Sequence, residues 1–172
     1  MIGHKGFHPA IRLAAAALIA LPLAACSLAG LSTNDNARLE VAELKNPGSY
    51  TADSALVEAR GHFRNNNFGH SAALYKRVVE LAPNSAEGYV GLGASYDRLR
   101  RFDLSDRVYA SLFKLSGGTA QYYNNVGYSQ MLRGNLKDAM ANFSKARQLA
   151  PDSIVIANNV ELVKRAAATS NI

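Results

Sequence analysis

Beyond residue 53, apolar side chains recur at three- and four-residue intervals in blocks of about a dozen residues. Ala72, Tyr75, Val78, Val79 and Ala82 fall on one helical face, and Lys76, Arg77 and Glu80 fall outside it. Pro83 ends this block, and Asn65-Asn66-Asn67 separates it from the one before. Read along the chain, the pattern predicts amphipathic helices over 54–65, 68–81, 86–99, 102–115, 120–133, 136–150 and 154–168. The expected fold is all-α.

The blocks repeat in pairs, every 34 residues. Ala59, Gly93 and Gly127 share one register position, and Ser71, Ser105 and Ala139 share another. So do Tyr75, Tyr109 and Phe143, and so do Leu81, Leu115 and Leu149. The periods close with Ala82-Pro83-Asn84-Ser85, Ser116-Gly117-Gly118-Thr119 and Ala150-Pro151-Asp152-Ser153. A fixed period of this length marks a stacked array of helical hairpins, an architecture that presents extended binding surfaces. This gives three 34-residue helix-turn-helix repeats over 52–85, 86–119 and 120–153, and a capping helix over 154–168. Glu161, Lys164 and Arg165 give that last helix the polar outer side a cap needs.

The register resembles the tetratricopeptide repeat across 52–168. The resemblance implies an α-solenoid in which the small residues at 59, 93 and 127 let paired helices approach and the aromatics at 75, 109 and 143 fill the gap. Gly117 departs from the proline of the other two repeats and still makes a turn.

The N-terminal end is organised differently. Lys5 and Arg12 precede an uncharged apolar stretch over 13–25, interrupted by Pro22. A basic region followed by so short an apolar run reads as a signal peptide over 1–25, since a membrane-spanning helix needs about 20 apolar residues. Leu23-Ala24-Ala25-Cys26 resembles the bacterial lipobox. The resemblance implies cleavage before Cys26 and lipidation of that residue, and Ser27 after it implies sorting to the outer membrane, facing the periplasm. Several acyl chains on one residue would hold a domain durably, where one chain holds it only marginally. Residues 26–51, rich in Ser, Asn, Gly and Pro, read as a flexible tether, with a short docking helix over 37–45 compatible with its composition.

Composition narrows the chemistry. The net charge of +6 falls to +4 without Lys5 and Arg12, and the charges are interspersed, so no basic run marks a nucleic-acid surface. Cys26 is the lone cysteine, which excludes an internal disulfide and a multi-cysteine metal site. His62 and His70 fall in different helices, and His62 takes a slot filled by Tyr96 in the next repeat, so packing is the expected role and no metal is expected. Gly91-Leu92-Gly93 follows no strand, as a nucleotide-binding loop would, and Gly93 is the repeat's small residue. Carboxylates are scattered singly. The sequence therefore points to no catalytic residue, no cofactor and no enzyme.

Binding is the remaining class. Asn124-Asn125 and Asn158-Asn159 lie 34 residues apart. In the tetratricopeptide family these positions line the concave groove, where an amide can hold the backbone of an extended peptide. The same resemblance nominates Arg60, Arg64, Arg98, Gln121 and Tyr128 as groove residues, with the arginines favouring a carboxylate-bearing peptide. The bland alternative is that the asparagines bridge neighbouring helices. Lipobox and repeat together are similar to the lipoproteins of tight-adherence (Flp-type) pilus assembly, the TadD type, and Asn124-Asn125-Val126-Gly127-Tyr128 with Leu132-Arg133-Gly134-Asn135 carries that likeness. It implies a scaffold whose partner is an outer-membrane secretin or pilus-assembly component. A general envelope adaptor recruiting peptidoglycan enzymes or outer-membrane insertion factors, or an accessory binding subunit of an enzyme complex, are the competing expectations.

Overall fold

A computed structural model describes residues 40–169. Seven α-helices follow one another: α1 (Ala52–Arg64), α2 (Phe68–Leu81), α3 (Ala86–Arg98), α4 (Phe102–Ser116), α5 (Ala120–Leu132), α6 (Leu136–Leu149) and α7 (Ile154–Thr169). There is no strand among the described residues. Helices α1/α2, α3/α4 and α5/α6 form three hairpins, and α7 packs on the last. The arrangement is the predicted solenoid of helix-turn-helix repeats. The leader and Cys26 lie outside the described residues.

Helix starts follow the period. Thr51, Ser85, Thr119 and Ser153, each 34 residues from the next, precede α1, α3, α5 and α7. Their side-chain oxygens accept from the backbone N–H of Ser54, Gly88, Tyr122 and Ile156 at 3.1–3.4 Å. Such a cap satisfies one of the otherwise unpaired first-turn amides. At α1 the bond is reciprocal, because Ser54 Oγ accepts from Thr51 N at 3.0 Å. That box starts α1 at Ala52, two residues before the point the apolar pattern suggests. Gly117, with φ of 69°, ends α4 in place of the proline turn.

The hairpins close through missing side chains. A methyl added at Gly93 would come within 2.6 Å of the Tyr109 ring, and one at Gly127 within 2.8 Å of the Phe143 ring. In the first repeat Ala59 keeps its methyl, and the Tyr75 ring lies instead against Gly91 of α3. Phe143 is fully buried, and Tyr75 and Tyr109 nearly so. Ser71, Ser105 and Ala139 are also fully buried at their shared position. The apolar interior divides into two clusters. One surrounds Leu74, Val78, Leu92 and Leu99, and the other surrounds Phe143, Ile156, Val160 and Val163.

The tether reading does not hold for 40–51. Val41, Leu44 and Tyr50 pack against the first cluster. Ala42 N donates to Gly69 O at 3.1 Å, and the Glu40 carbonyl oxygen occupies the space a side chain at Gly69 would need. Residues 40–46 are not helical, which corrects the docking helix expected over 37–45 for its described part. The backbone bond goes to α2 instead of to a local turn.

The small positions are not equivalent, and this can be measured. Glycine to alanine in a helix gains about 1 kcal/mol of propensity, whereas overpacking costs about 1–3 kcal/mol. Gly61 has open space around it and Gly93 does not. Gly61→Ala should raise the thermal midpoint by a few degrees and Gly93→Ala should lower it, as followed by circular dichroism. Equal shifts would contradict the packing role of Gly93.

Candidate functional site

Helices α1, α3, α5 and α7 touch one another in succession and line one face of the stack. On that face a cleft of about 290 Å³ is lined by Phe63, Ala94, Asp97, Arg98, Tyr109, Asn124, Asn125, Tyr128 and Asn159. Asn124, Asn125, Asn159, Tyr128 and Arg98 are thus brought together. Gln121 joins Asn124 and Asn125 in an adjoining depression that reaches Val155 and Ile156. Asn158 lines a third hollow with Asn159, Leu162 and Arg165.

The asparagines divide their work. Asn159 Nδ2 donates to Asn124 Oδ1 at 2.8 Å, so this pair bridges α5 and α7. Asn125 Nδ2 is buried and has no hydrogen-bond partner. A buried donor left unmade costs about 1–3 kcal/mol, and native chains rarely leave one so. The other such atoms among the described residues are Nε of Arg77 and Arg133, whose guanidinium groups have acidic partners. Asn125 lines both the main cleft and its neighbour, and its buried amide lies at their junction.

The arginines are not gathered. Arg60 Nε donates to Glu87 Oε1 at 2.7 Å, a pair that joins α1 to α3. Arg64 is exposed at the end of α1 and lines none of these three hollows. Arg98 reaches the cleft, with its guanidinium 4.3 Å from the centre of the Phe68 ring.

A carboxylate that the sequence reading did not single out forms part of the cleft wall. Asp97 is 2 % exposed. Tyr109 Oη donates to its Oδ2 at 2.8 Å and Ser129 Oγ to its Oδ1 at 2.7 Å. Arg133 donates to Ser129 Oγ at 3.0 Å and to Asp106 Oδ2 at 2.9 Å. The network ties α3, α4 and α5 together and lies between the two apolar clusters. Burial raises the Asp97 carboxyl above the usual range, opposed by the hydroxyls of Ser129, Ser105 and Tyr109 and by the Arg133 charge. Burial, with the Asp97 charge, pushes the Tyr109 phenol well up, so it remains a donor. The signal for Asp97 was in the repeat: it takes a position held by Phe63 and Met131 in the other two.

His62 and His70 stack with ring centres 5.1 Å apart, and Asn67 bonds to both. No group of three or more metal-ligating side chains occurs among the described residues.

No family model and no curated protein matches the chain. Solved structures do. The first tetratricopeptide domain of human RPAP3 superposes with a TM-score of 0.61 at 15% identity, covering 72% of this chain and 98% of that one. The TPR2B domain of yeast Sti1, solved as a complex with pHsp70, gives 0.60 at 16%, with 69% and 97% covered. The first tetratricopeptide domain of Spaghetti, bound to the HSP90 peptide SRMEEVD, gives 0.58 at 15%, with 69% and 94% covered. The fold is that of a tetratricopeptide-repeat domain.

The buried carboxylate leaves a pH signature. With its folded pKa raised, Asp97 stabilises the fold below the unfolded value, and that contribution is lost as pH rises through the folded value. The thermal midpoint of the wild type minus that of Asp97→Asn should therefore shrink as pH rises from about 4, the unfolded carboxylate value. A difference that stays flat or grows with pH would contradict this account.

Proposed function

We propose that this chain is a lipid-anchored, non-enzymatic scaffold that holds an extended peptide segment of a protein partner along its concave face. The observation that carries the reading is the buried, unpartnered amide of Asn125 at the junction of two hollows. A peptide carbonyl is the acceptor that such a donor fits, and Tyr128 and Phe63 supply apolar wall around it. Spaghetti and yeast Sti1 domains of the same fold hold peptide partners, which supports the same use here. The groove has mixed charge: Asp97 forms part of its wall and Arg60 is neutralised by Glu87, so recognition rests on backbone and apolar contacts.

The lipid anchor rests on Leu23-Ala24-Ala25-Cys26 after a basic, then apolar, leader. With it, the site of action is the cell envelope, at the outer membrane. The partner we favour is a secretin or another component of tight-adherence pilus assembly. The support for that choice is the likeness of residues 124–135 to the TadD type.

Two measurements test the two halves. Cys26→Ser should abolish the acyl mass and release the protein from the membrane fraction; unchanged mass and location would end the anchor reading. Asn125→Ala should weaken capture of the partner from crosslinked envelopes by about fivefold with helicity unchanged, the weight of one hydrogen bond of about 1 kcal/mol. Capture at the wild-type level would remove the groove from the account.

A further inference from the structure

The last repeat junction leaves open a place that the two before it fill. Between α6 and α7, at the turn that leads from α5 into α6, a hollow of about 600 Å³ opens to solvent. Its walls are Leu136, Met140, Val163 and Ala167. One period earlier these positions are Phe102, Asp106, Ser129 and Arg133. There they form one filled cluster. The Arg133 guanidinium lies 4.7 Å from the Phe102 ring centre and donates to Asp106 Oδ2 at 2.9 Å and to Ser129 Oγ at 3.0 Å. Two periods earlier the place of Ala167 is taken by Leu99, which is buried in the first apolar cluster. The hollow is therefore the Arg133 site with the filling side chain cut back to a methyl, and with the acidic and hydroxyl partners replaced by Met140 and Val163.

What the hollow takes follows from its walls and its size. None of the four wall side chains carries a charge or a strong hydrogen-bonding group. A methylene group is about the size of a water molecule, about 30 Å³, so the space holds a chain of about twenty carbons, and a leucine side chain fills only about a fifth of it. Sites for small molecules are of this size and mostly apolar. The mouth carries Lys137 and Asp138, both exposed and opposite in sign, so the rim selects no head group by charge. An acyl chain is also within reach. The bond from Ala42 N to Gly69 O sets Glu40 beside the start of α2, on the edge where α6 also starts. Residues 27–39 separate it from Cys26, a reach of at most about 45 Å at full extension. Crossing from α2 to α6 takes four helix-to-helix steps of about 10 Å at most, hence about 40 Å.

We propose that this socket, walled by Leu136, Met140, Val163 and Ala167, is a binding site for a single acyl chain. The site itself does not need the lipid anchor. That the chain is one carried by Cys26 rests on the lipid-anchor reading, and a membrane phospholipid is the other source of the same chemistry. The chain lies along the apolar walls and its head stays at the mouth, between Lys137 and Asp138. Attachment to a bilayer is durable only with more than one chain inserted. Each chain of Cys26 held in the socket is therefore one fewer in the membrane, and the hold on the membrane weakens accordingly.

The packed core lies wholly within residues 40–169, so the chain from Ser27 onward, without leader or lipid, serves as the test protein. Binding is followed by the emission of dansyl-undecanoic acid. We expect saturable uptake of one probe per chain, reversed by hexadecanoic acid. Ala167→Leu, which restores the residue type of Leu99, should weaken binding about tenfold, the weight of two buried methylene groups, without lowering the thermal midpoint. Ala167→Arg with Met140→Asp rebuilds the Arg133 arrangement and should abolish binding. Leu149→Ser removes an exposed apolar side chain at the other end of α6 and should bind as the wild type does. An Ala167→Leu protein with wild-type affinity, or an equal loss in Leu149→Ser, overturns the proposal. So does acetyl-leucine-amide displacing the probe as well as hexadecanoic acid does, which would assign the socket to a protein side chain. Cells producing the lipidated protein, fed a diazirine-bearing palmitate and illuminated, separate the two sources. A crosslink from α6 or α7 to the Cys26 peptide gives the chain to the protein's own anchor, and one to phospholipid gives it to the membrane; a crosslink on neither helix overturns the site. Probe binding that persists while Cys26 proves unmodified keeps the socket and removes the anchor.

Discussion

Everything in this molecule depends on rings seated where side chains are missing. Tyr109 against Gly93 and Phe143 against Gly127 bring the two helices of a hairpin to a distance that any larger residue would forbid. Close hairpins leave the first helix of each repeat free to touch the first helix of the next. The inner face follows from that contact, and the cleft from the inner face. The serines and alanine at 71, 105 and 139 serve the same end, since each is fully buried in the seam of its own hairpin.

The cleft face is built from departures from the repeat, not from the repeat itself. Position for position, Val57 and Gly91 stand where Asn125 and Asn159 stand later. Gly91 is small because Tyr75 lies on it, so packing breaks the run of amides in the second repeat. Asp97 replaces a large apolar residue, and its two oxygens are satisfied by hydroxyls from neighbouring helices. The cleft therefore combines one bridged pair of asparagines, one idle amide and one buried carboxylate.

Much of the fold was legible because it is periodic. Helix limits read from apolar spacing agree with the observed ones to within two residues, and the disagreement at α1 comes from a cap, which spacing does not register. The clustering of Asn124, Asn125, Asn159, Tyr128 and Arg98 was also legible, since register alone places them on one face. The partners within it were not. Whether an asparagine bridges helices or stays free is decided by how α5 and α7 meet, which spacing does not register, and Arg60 was lost to Glu87 across 27 positions. The segment over 40–51 misled for a different reason. Its polar, glycine- and proline-bearing composition is that of a linker, and its docking rests on a backbone bond to Gly69 and on Val41, Leu44 and Tyr50 against a core remote in sequence.

The polar network around Asp97 has a consequence for motion. A solenoid is held by nearest-neighbour interfaces, and here each carries a polar link: Arg60–Glu87 and Ser71–Ser95 between the first two repeats, the Asp97 network between the second and third, and Asn124–Asn159 to α7. Of these only the Asp97 network is built on a buried carboxylate, so that interface carries the charge cost of burial. The cleft spans that interface, with lining residues from α3 and α5 on its two sides. Local opening there would widen the cleft, so access to it and the exchange of amide protons along α5 would follow the same equilibrium.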